Sequence, residues 1–228
     1  MNIQGFQKLT LLDFPGKVAC TVFTGGCNLR CPFCHNASLV LEPTIYSDAT
    51  QDVLNYLSGR KGIIDGVCIT GGEPLLQPDL ADFISKIKDM GFAVKLDTNG
   101  SMPDRLQQII DTGLIDYIAM DIKSSPEGYA LATGVEGATD NYIKSVDIIR
   151  QSGIEHEFRT TAVKGIHSPA DFDKIGQWLA GCKHYYIQRF VDSGNLIEGG
   201  EAFDENEMRN LLSTVKNYIP EAQLRGQN

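Results

Sequence analysis

An alternation of β-rich runs and helical patterns, repeated six times, constrains this chain more than any other feature. The β-rich runs are VACTVF (18–23), GVCIT (66–70), FAVKLD (92–97), YIAMDI (117–122), EFRTTAV (157–163) and YYIQRF (185–190), each bounded by turn residues. Between them, residues 79–90 set Leu80, Phe83, Ile84, Ile87 and Met90 at spacings of three and four, the period of a one-sided helix. Residues 103–112 start at Pro103 and stop at Gly113, and residues 140–152 stop at Gly153. Ser168 and Pro169 are a cap and a first residue for a helix over 168–180, which Gly181 ends. Further helices are expected near 48–58 and 204–218.

Six β/α units predict a parallel sheet covered by helices. A closed eight-unit barrel typically takes ~250 residues. This chain has 228, so an incomplete, laterally open barrel is expected, with an open doubly wound sheet as the competing architecture. There is no internal repeat, low-complexity tract or Pro/Ser-rich linker, and a single domain over residues 1–228 is expected.

Composition narrows the function. The net charge of −9 disfavours broad nucleic-acid binding, which needs basic patches. No apolar run is long enough for a membrane span, and the N-terminal stretch MNIQGFQKLTLLDFPGK does not read as a secretory signal, so a cytoplasmic protein is expected. Six cysteines in such a chain point to metal or redox chemistry more than to disulfides.

The polar motifs fall just after the strands. A cysteine loop follows the first, GGEP (71–74) the second, DTNG (97–100) ends the third and MDIK (120–123) the fourth. Arg159 lies in the fifth strand and Lys164 after it, while Gln188 and Arg189 end the sixth. Parallel β/α folds build their sites at the carboxyl ends of several strands, which predicts that these motifs converge. Taken singly they have plainer readings: GGEP and Asn-Gly are turn signals, and MDIK by itself reads as a strand end with a solvated Asp and Lys. Cys20 and Cys68 lie in apolar strands and read as buried, inert thiols, Cys182 as either, and Tyr185 and Tyr186 as barrel packing. His156, His167 and His184 have no partners at ligand spacing.

The loop CNLRCPFCHN (27–36) has no such plain reading. Cys27, Cys31 and Cys34 follow a C-x3-C-x2-C spacing. Zinc held by these thiolates and His35 is one alternative, but adjacent residues rarely turn both side chains onto one tetrahedral ion. Iron–sulfur clusters are ordinarily held by four cysteines. Three local ligands leave one position open, as catalytic metals require.

This loop resembles the signature of the radical S-adenosylmethionine (SAM) enzymes, and GGEP resembles that family's GGE motif. CHN after the loop, LDTNG and MDIK resemble the activating enzymes of glycyl-radical enzymes, and KLTLLDFPGKVACTVFTGGCNLRCPFCHN (8–36) is similar to activating proteins of anaerobic ribonucleoside-triphosphate reductase. The resemblance spans nearly the whole chain. It implies a partial, laterally open (β/α)6 barrel of the radical SAM type. It also implies a [4Fe–4S] cluster on Cys27, Cys31 and Cys34 whose open iron chelates SAM, and reductive cleavage to methionine and a 5′-deoxyadenosyl radical that takes a hydrogen from a glycine of a partner enzyme. Phe33 would pack on adenine. Gly71 and Gly72 would admit the methionyl amine, with Glu73 supporting that end. Asp97, Thr98, Asp121 and Lys123 would surround the methionyl part, and Asp97, Thr98 and Asp121 would also hold a monovalent cation. Arg159 is a further candidate for the SAM carboxylate. A histidine that contacts SAM near the sixth strand in a related activator has Gln188 or Arg189 in its place here.

Only Cys68 lies between Cys34 and Gly71, so the eight-cysteine insertion of some relatives is missing and electrons would come from an external flavodoxin or ferredoxin. The segment SSPEGYALATGVEGATDN (124–141) is either a docking loop for the partner or an ordinary connection. Competing functions are the activation of another glycyl-radical enzyme of the pyruvate formate-lyase type, a radical SAM reaction on a small molecule such as a deazapurine, and a non-enzymatic metal-binding module.

Overall fold

In the computed structural model, which describes residues 1–44 and 49–226, the six predicted β/α units form in order. The predicted strands become β2 (Ala19–Thr24), β3 (Gly66–Gly71), β4 (Ala93–Thr98), β5 (Tyr117–Asp121), β6 (Glu155–Lys164) and β7 (Tyr185–Arg189), each within two residues of its predicted bounds. They pair in parallel and in chain order. The sheet gains three strands that the pattern did not show. β1 (Ile3–Thr10) runs antiparallel to β2, the two-residue β8 (Glu201–Ala202) pairs with β6, and β9 (Gln223–Arg225) pairs in parallel with β7. The path of paired strands ends at β1 on one side and β9 on the other, so the sheet is open. β1 was hidden because its pairing slips between Ile3 and Gly5 and again between Gln7 and Thr10. Each slip moves the apolar positions out of the two-residue period that marks a strand.

The expected helices are present as α2 (Ala49–Ser58), α3 (Leu80–Asp89), α4 (Pro103–Asp111), α6 (Thr139–Gln151), α7 (Pro169–Trp178) and α8 (Glu205–Lys216), with residue 48 of the first prediction lying outside the described residues. Two short helices, α1 (Ala37–Leu41) and α5 (Tyr129–Thr133), lack the length for a periodic signal. Ser168 caps α7 as expected. Its hydroxyl accepts from Asp171 N at 3.4 Å, and the Asp171 carboxylate accepts from Ser168 N at 2.9 Å.

Alternation along each strand separates two environments. Val67, Ile69, Val94, Leu96, Ile118, Met120, Phe158 and Ile187 are buried in one core together with Phe83, Ile84 and Ile87 of α3. The other face carries Thr21 and Phe23, Thr70, Asp97, Asp121, Arg159 and Thr161, and Gln188, all of which line one cavity. Parallel register puts the carboxyl ends side by side: Thr24 with Gly71, Thr98 with Met120, Asp121 with Arg159, and Thr161 with Gln188.

Candidate functional site

The cavity has a volume of about 350 Å³, and the cysteine loop forms one of its walls. That loop leaves β2 through Gly25 and Gly26 and is tied from distant parts of the chain. Arg30 N donates to Thr133 O of α5 at 2.8 Å, and Glu198 N and Gly199 N both donate to Pro32 O, at 2.9 and 3.1 Å. Cys27, Cys31 and Cys34 all face the cavity as free thiols. Burial pushes Cys31 up to about 11 and raises Cys27, so these thiols keep their protons until a metal displaces them. Among the described residues no three His, Cys, Asp or Glu side chains converge on a position for a single ion. His35 stacks on Phe190 at 5.5 Å and lines the cavity, and burial, then the Lys123 ammonium, lowers its pKa. Phe33 is buried at the cavity with its ring edge-on to His167 at 6.0 Å.

Gly71 and Gly72 line the cavity, but their lack of a side chain answers to the protein itself. A Cβ on Gly71 would lie 2.3 Å from Thr24 N, and one on Gly72 would lie 1.9 Å from Gly26 O. The GGE backbone is laced to the end of β2, with Gly72 N donating to Thr24 O and Glu73 N to Gly26 O, both at 2.8 Å. Gly71 also sits at φ +117°, which an L side chain resists.

Glu73 is buried and does not line the cavity itself. Its carboxylate accepts from Leu75 N at 3.1 Å, Thr98 Oγ1 at 2.9 Å and Asn99 N at 2.7 Å, clamping the end of β3 to the end of β4. Burial pushes its pKa up to about 7 against those donors.

The opposite wall is ionic. Asp97 pairs with the Lys95 ammonium through Oδ1 and with both Arg159 terminal nitrogens through Oδ2, at 3.2 Å each. Asp121 accepts from Arg159 Nε at 2.9 Å and from Lys123 Nζ at 3.0 Å. Burial alone would raise both carboxyls, but Arg159 with Lys95, and Arg159 with Lys123, hold them below the usual carboxylate range. Burial would likewise lower Lys123, and Asp121 overrides it and raises that ammonium's pKa. With Glu157, which lies 3.8 Å from Arg159 and pairs with Arg225 at 2.9 Å, four cationic side chains meet three carboxylates, which leaves one positive charge for a ligand carboxylate. His167, which has no partner at ligand spacing in the sequence, has its role fixed by its bonds. Nδ1 accepts from Val163 N at 3.0 Å, so Nε2 carries the proton and donates to Lys123 O at 2.7 Å.

Cys27, Cys31, Cys34, Phe33, Gly71, Gly72, Asp97, Thr98, Asp121, Lys123 and Arg159 therefore meet at one cavity. Lys164 and Arg189 do not. Lys164 pairs with Glu207 at 2.8 Å, and Arg189 Nε donates to Phe203 O at 3.1 Å. Of the two candidates for the sixth-strand contact, Gln188 is the one that lines the cavity. The segment 124–141 folds partly as α5, where buried Tyr129 stacks on Tyr142 at 4.0 Å. Cys20, Cys68 and Cys182 are buried.

Sequence reasoning missed Lys95, Asn99, Glu157 and Arg225. Lys95 and Glu157 sit two residues before Asp97 and Arg159, on the same strand face, so the two-residue period was the available signal. Arg225 reaches Glu157 at 2.9 and 3.0 Å and lies over the Tyr186 ring at 3.6 Å. Asn99 Oδ1 accepts from Ser101 N at 2.9 Å, which turns its amide nitrogen toward Asn28 Oδ1 at 3.1 Å and Cys27 Sγ at 3.6 Å.

Comparison with known proteins gives a consistent result. The model of the Radical SAM superfamily matches residues 21–179. A Methanocaldococcus jannaschii protein whose name describes it as a glycyl-radical enzyme activating enzyme is 31% identical over 238 residues, covering 98% of this chain and 95% of its own. The pyruvate formate-lyase-activating enzyme of Clostridium pasteurianum is 31% identical over 155 residues, 65% of this chain and 64% of that one. The 7-carboxy-7-deazaguanine synthase of Halobacterium salinarum is 25% identical over 94% of this chain and 80% of its own. Among solved structures, Streptococcus suis SuiB bound to S-adenosylmethionine superposes with a TM-score of 0.72 at 16% identity, over 88% of this chain and 48% of that chain, which is a likeness of fold.

Proposed function

This chain belongs to the radical SAM superfamily, and on that premise we propose that it is an activating enzyme that generates a glycyl radical on a partner enzyme, anaerobic ribonucleoside-triphosphate reductase being the first candidate. The observation that carries the activator reading is the end-to-end similarity to the M. jannaschii protein of that description. The reductase itself is suggested by the N-terminal stretch through CHN.

The family implies a [4Fe–4S] cluster and SAM, and the residues present fit both. Cys27, Cys31 and Cys34 would each hold one iron, and their loop leaves a fourth position for SAM. Bound there, the reduced cluster and SAM would supply the one-electron cleavage chemistry needed to abstract the glycine hydrogen. The work of this chain is placement. Lys123 and Arg159 offer fixed positive charge to the methionyl carboxylate, and Asp97 and Asp121 hold those cations in position. The Gly71–Gly72 backbone floors the site beside Thr24. Glu73 acts through Thr98 and Asn99 rather than on the ligand. Phe33 is an apolar wall suited to adenine.

Residues 1–228 act as a single radical SAM domain in this reading, supported by one apolar core. Among the described residues no helix is long and apolar enough to cross a membrane. An external flavodoxin or ferredoxin is the proposed electron donor. Incubated anaerobically with the reductase, SAM and reductant, the protein should produce a glycyl-radical doublet in the electron paramagnetic resonance spectrum. SAM cleavage without a doublet on that reductase or on a pyruvate formate-lyase would favour a second reading, a small-molecule radical SAM enzyme. The similarity to the deazaguanine synthase supports that second reading.

A further inference from the structure

The sequence resemblance predicts a monovalent cation held by Asp97, Thr98 and Asp121, and both carboxylates already face two cationic side chains each. Asp97 spends one oxygen on Lys95 and the other on Arg159, and Asp121 spends one on Arg159 and the other on Lys123. The Thr98 hydroxyl donates to Glu73 at 2.9 Å and accepts from Gly100 N at 3.1 Å. An alkali ion would need several of these oxygens at once to replace its hydration shell, at a place where Lys95, Lys123 and Arg159 already put three positive charges, so the three residues do not fit it.

Lys95 shows what does that work instead. It lies in the middle of β4 with 1% of its surface exposed. Besides Asp97, its surroundings are the Cys68 sulfur at 3.9 Å and the Tyr117 ring at 5.9 Å. Withdrawing an ammonium from water costs several kcal/mol, and a packed apolar residue commonly holds a sheet as well or better. Stability therefore gives no reason for a lysine at this position, whereas the charge beside Asp97 does.

We propose that Lys95 is a built-in cation. Its ammonium neutralises Asp97 from the side away from Arg159, in place of a free potassium or sodium ion, so that SAM binding needs no added monovalent ion. The inference rests on the reading of the cavity as a SAM site. Lys95 is a positioning residue here, sharing the charge of Asp97 so that Arg159 does not balance it alone.

The test is the dissociation constant of SAM, measured by equilibrium dialysis on cluster-loaded protein in tetramethylammonium, sodium or potassium chloride at equal ionic strength. The unaltered protein should bind within about twofold across the three salts. Lys95→Met should lose about tenfold in tetramethylammonium and recover in potassium or sodium, a rescue that a purely structural lysine would not show. Potassium-dependent binding by the unaltered protein overturns the inference, and so does a Lys95→Met defect that neither ion repairs. If Lys95→Met does not fold, the comparison of salts on the unaltered protein decides alone. Absence of SAM binding in every salt overturns the reading of the cavity, and this inference with it.

Discussion

On one wall of the cavity, Cys27 and Cys31 are thiols that burial keeps protonated; on the other, Asp97, Asp121, Lys123 and Arg159 are locked in ion pairs as soon as the strands align. The first wall becomes ionic only when a metal takes the protons, and the second needs no ligand. The two walls should therefore fail separately. Losing a cysteine should empty the site of metal without disturbing the pairs, and losing a paired charge should disturb fold or ligand without emptying it.

The largest expected effect is Cys31→Ala. Anaerobic reconstitution with iron and sulfide should give a brown protein with the native cysteine and a nearly colourless one with alanine, scored by iron and sulfide content. Retention of full cluster content would break the assignment of that wall. Arg159→Ala should come next, because it leaves Asp97 and Asp121 each short of a partner in a half-buried site. Breaking one side of a buried pair costs about 3–5 kcal/mol, so denaturant unfolding of the metal-free protein should show a loss of that order.

The outer face of the sheet was legible in the sequence, and the inner face only in part. Val67, Ile69, Val94 and Leu96 announce their strands because burial against helices demands a run of apolar residues. The same strands carry Lys95 and Glu157 inward, where no general preference dictates a residue and only the two-residue period connects them to Asp97 and Arg159. Glu73 and the GGE glycines were legible as a motif but not in their contacts. That Gly72 abuts Gly26 and that Glu73 bridges to Asn99 are facts of tertiary packing between segments far apart in the chain. β1 was illegible for a local reason, its two register slips.

Two smaller effects sharpen the contrast. Lys123→Ala should leave cluster content intact and weaken SAM binding by about 10- to 100-fold, the worth of a charged hydrogen bond of 1.5–3 kcal/mol. Loss of the cluster instead would mean that Lys123 belongs to the cysteine wall. Glu73→Gln tests the clamp beneath both walls. The Glu73 carboxyl is raised from an ordinary 4.5 to about 7 in the fold, so the folded chain holds this proton more tightly than the unfolded one. Its contribution is complete below the unfolded value and is lost as pH rises through about 7. Unfolding free energies taken between pH 5 and 8 should therefore decline in the native protein and be flatter by on the order of 1 kcal/mol in Glu73→Gln. Equal slopes would show that Glu73 is ionised throughout.

The ties that hold the cysteine loop also set a schedule. Arg30 waits for Thr133, and Pro32 waits for Glu198 and Gly199. These contacts span more than 100 residues of chain, so the loop reaches its final shape late in synthesis, well after its own cysteines have left the ribosome. Loading of iron and sulfide into a finished pocket is thus placed after translation of most of the protein. Before that point the three thiols lie on an unanchored segment and are open to oxidation, so the interval between making the loop and tying it down is one in which oxygen can deny the pocket its ligands.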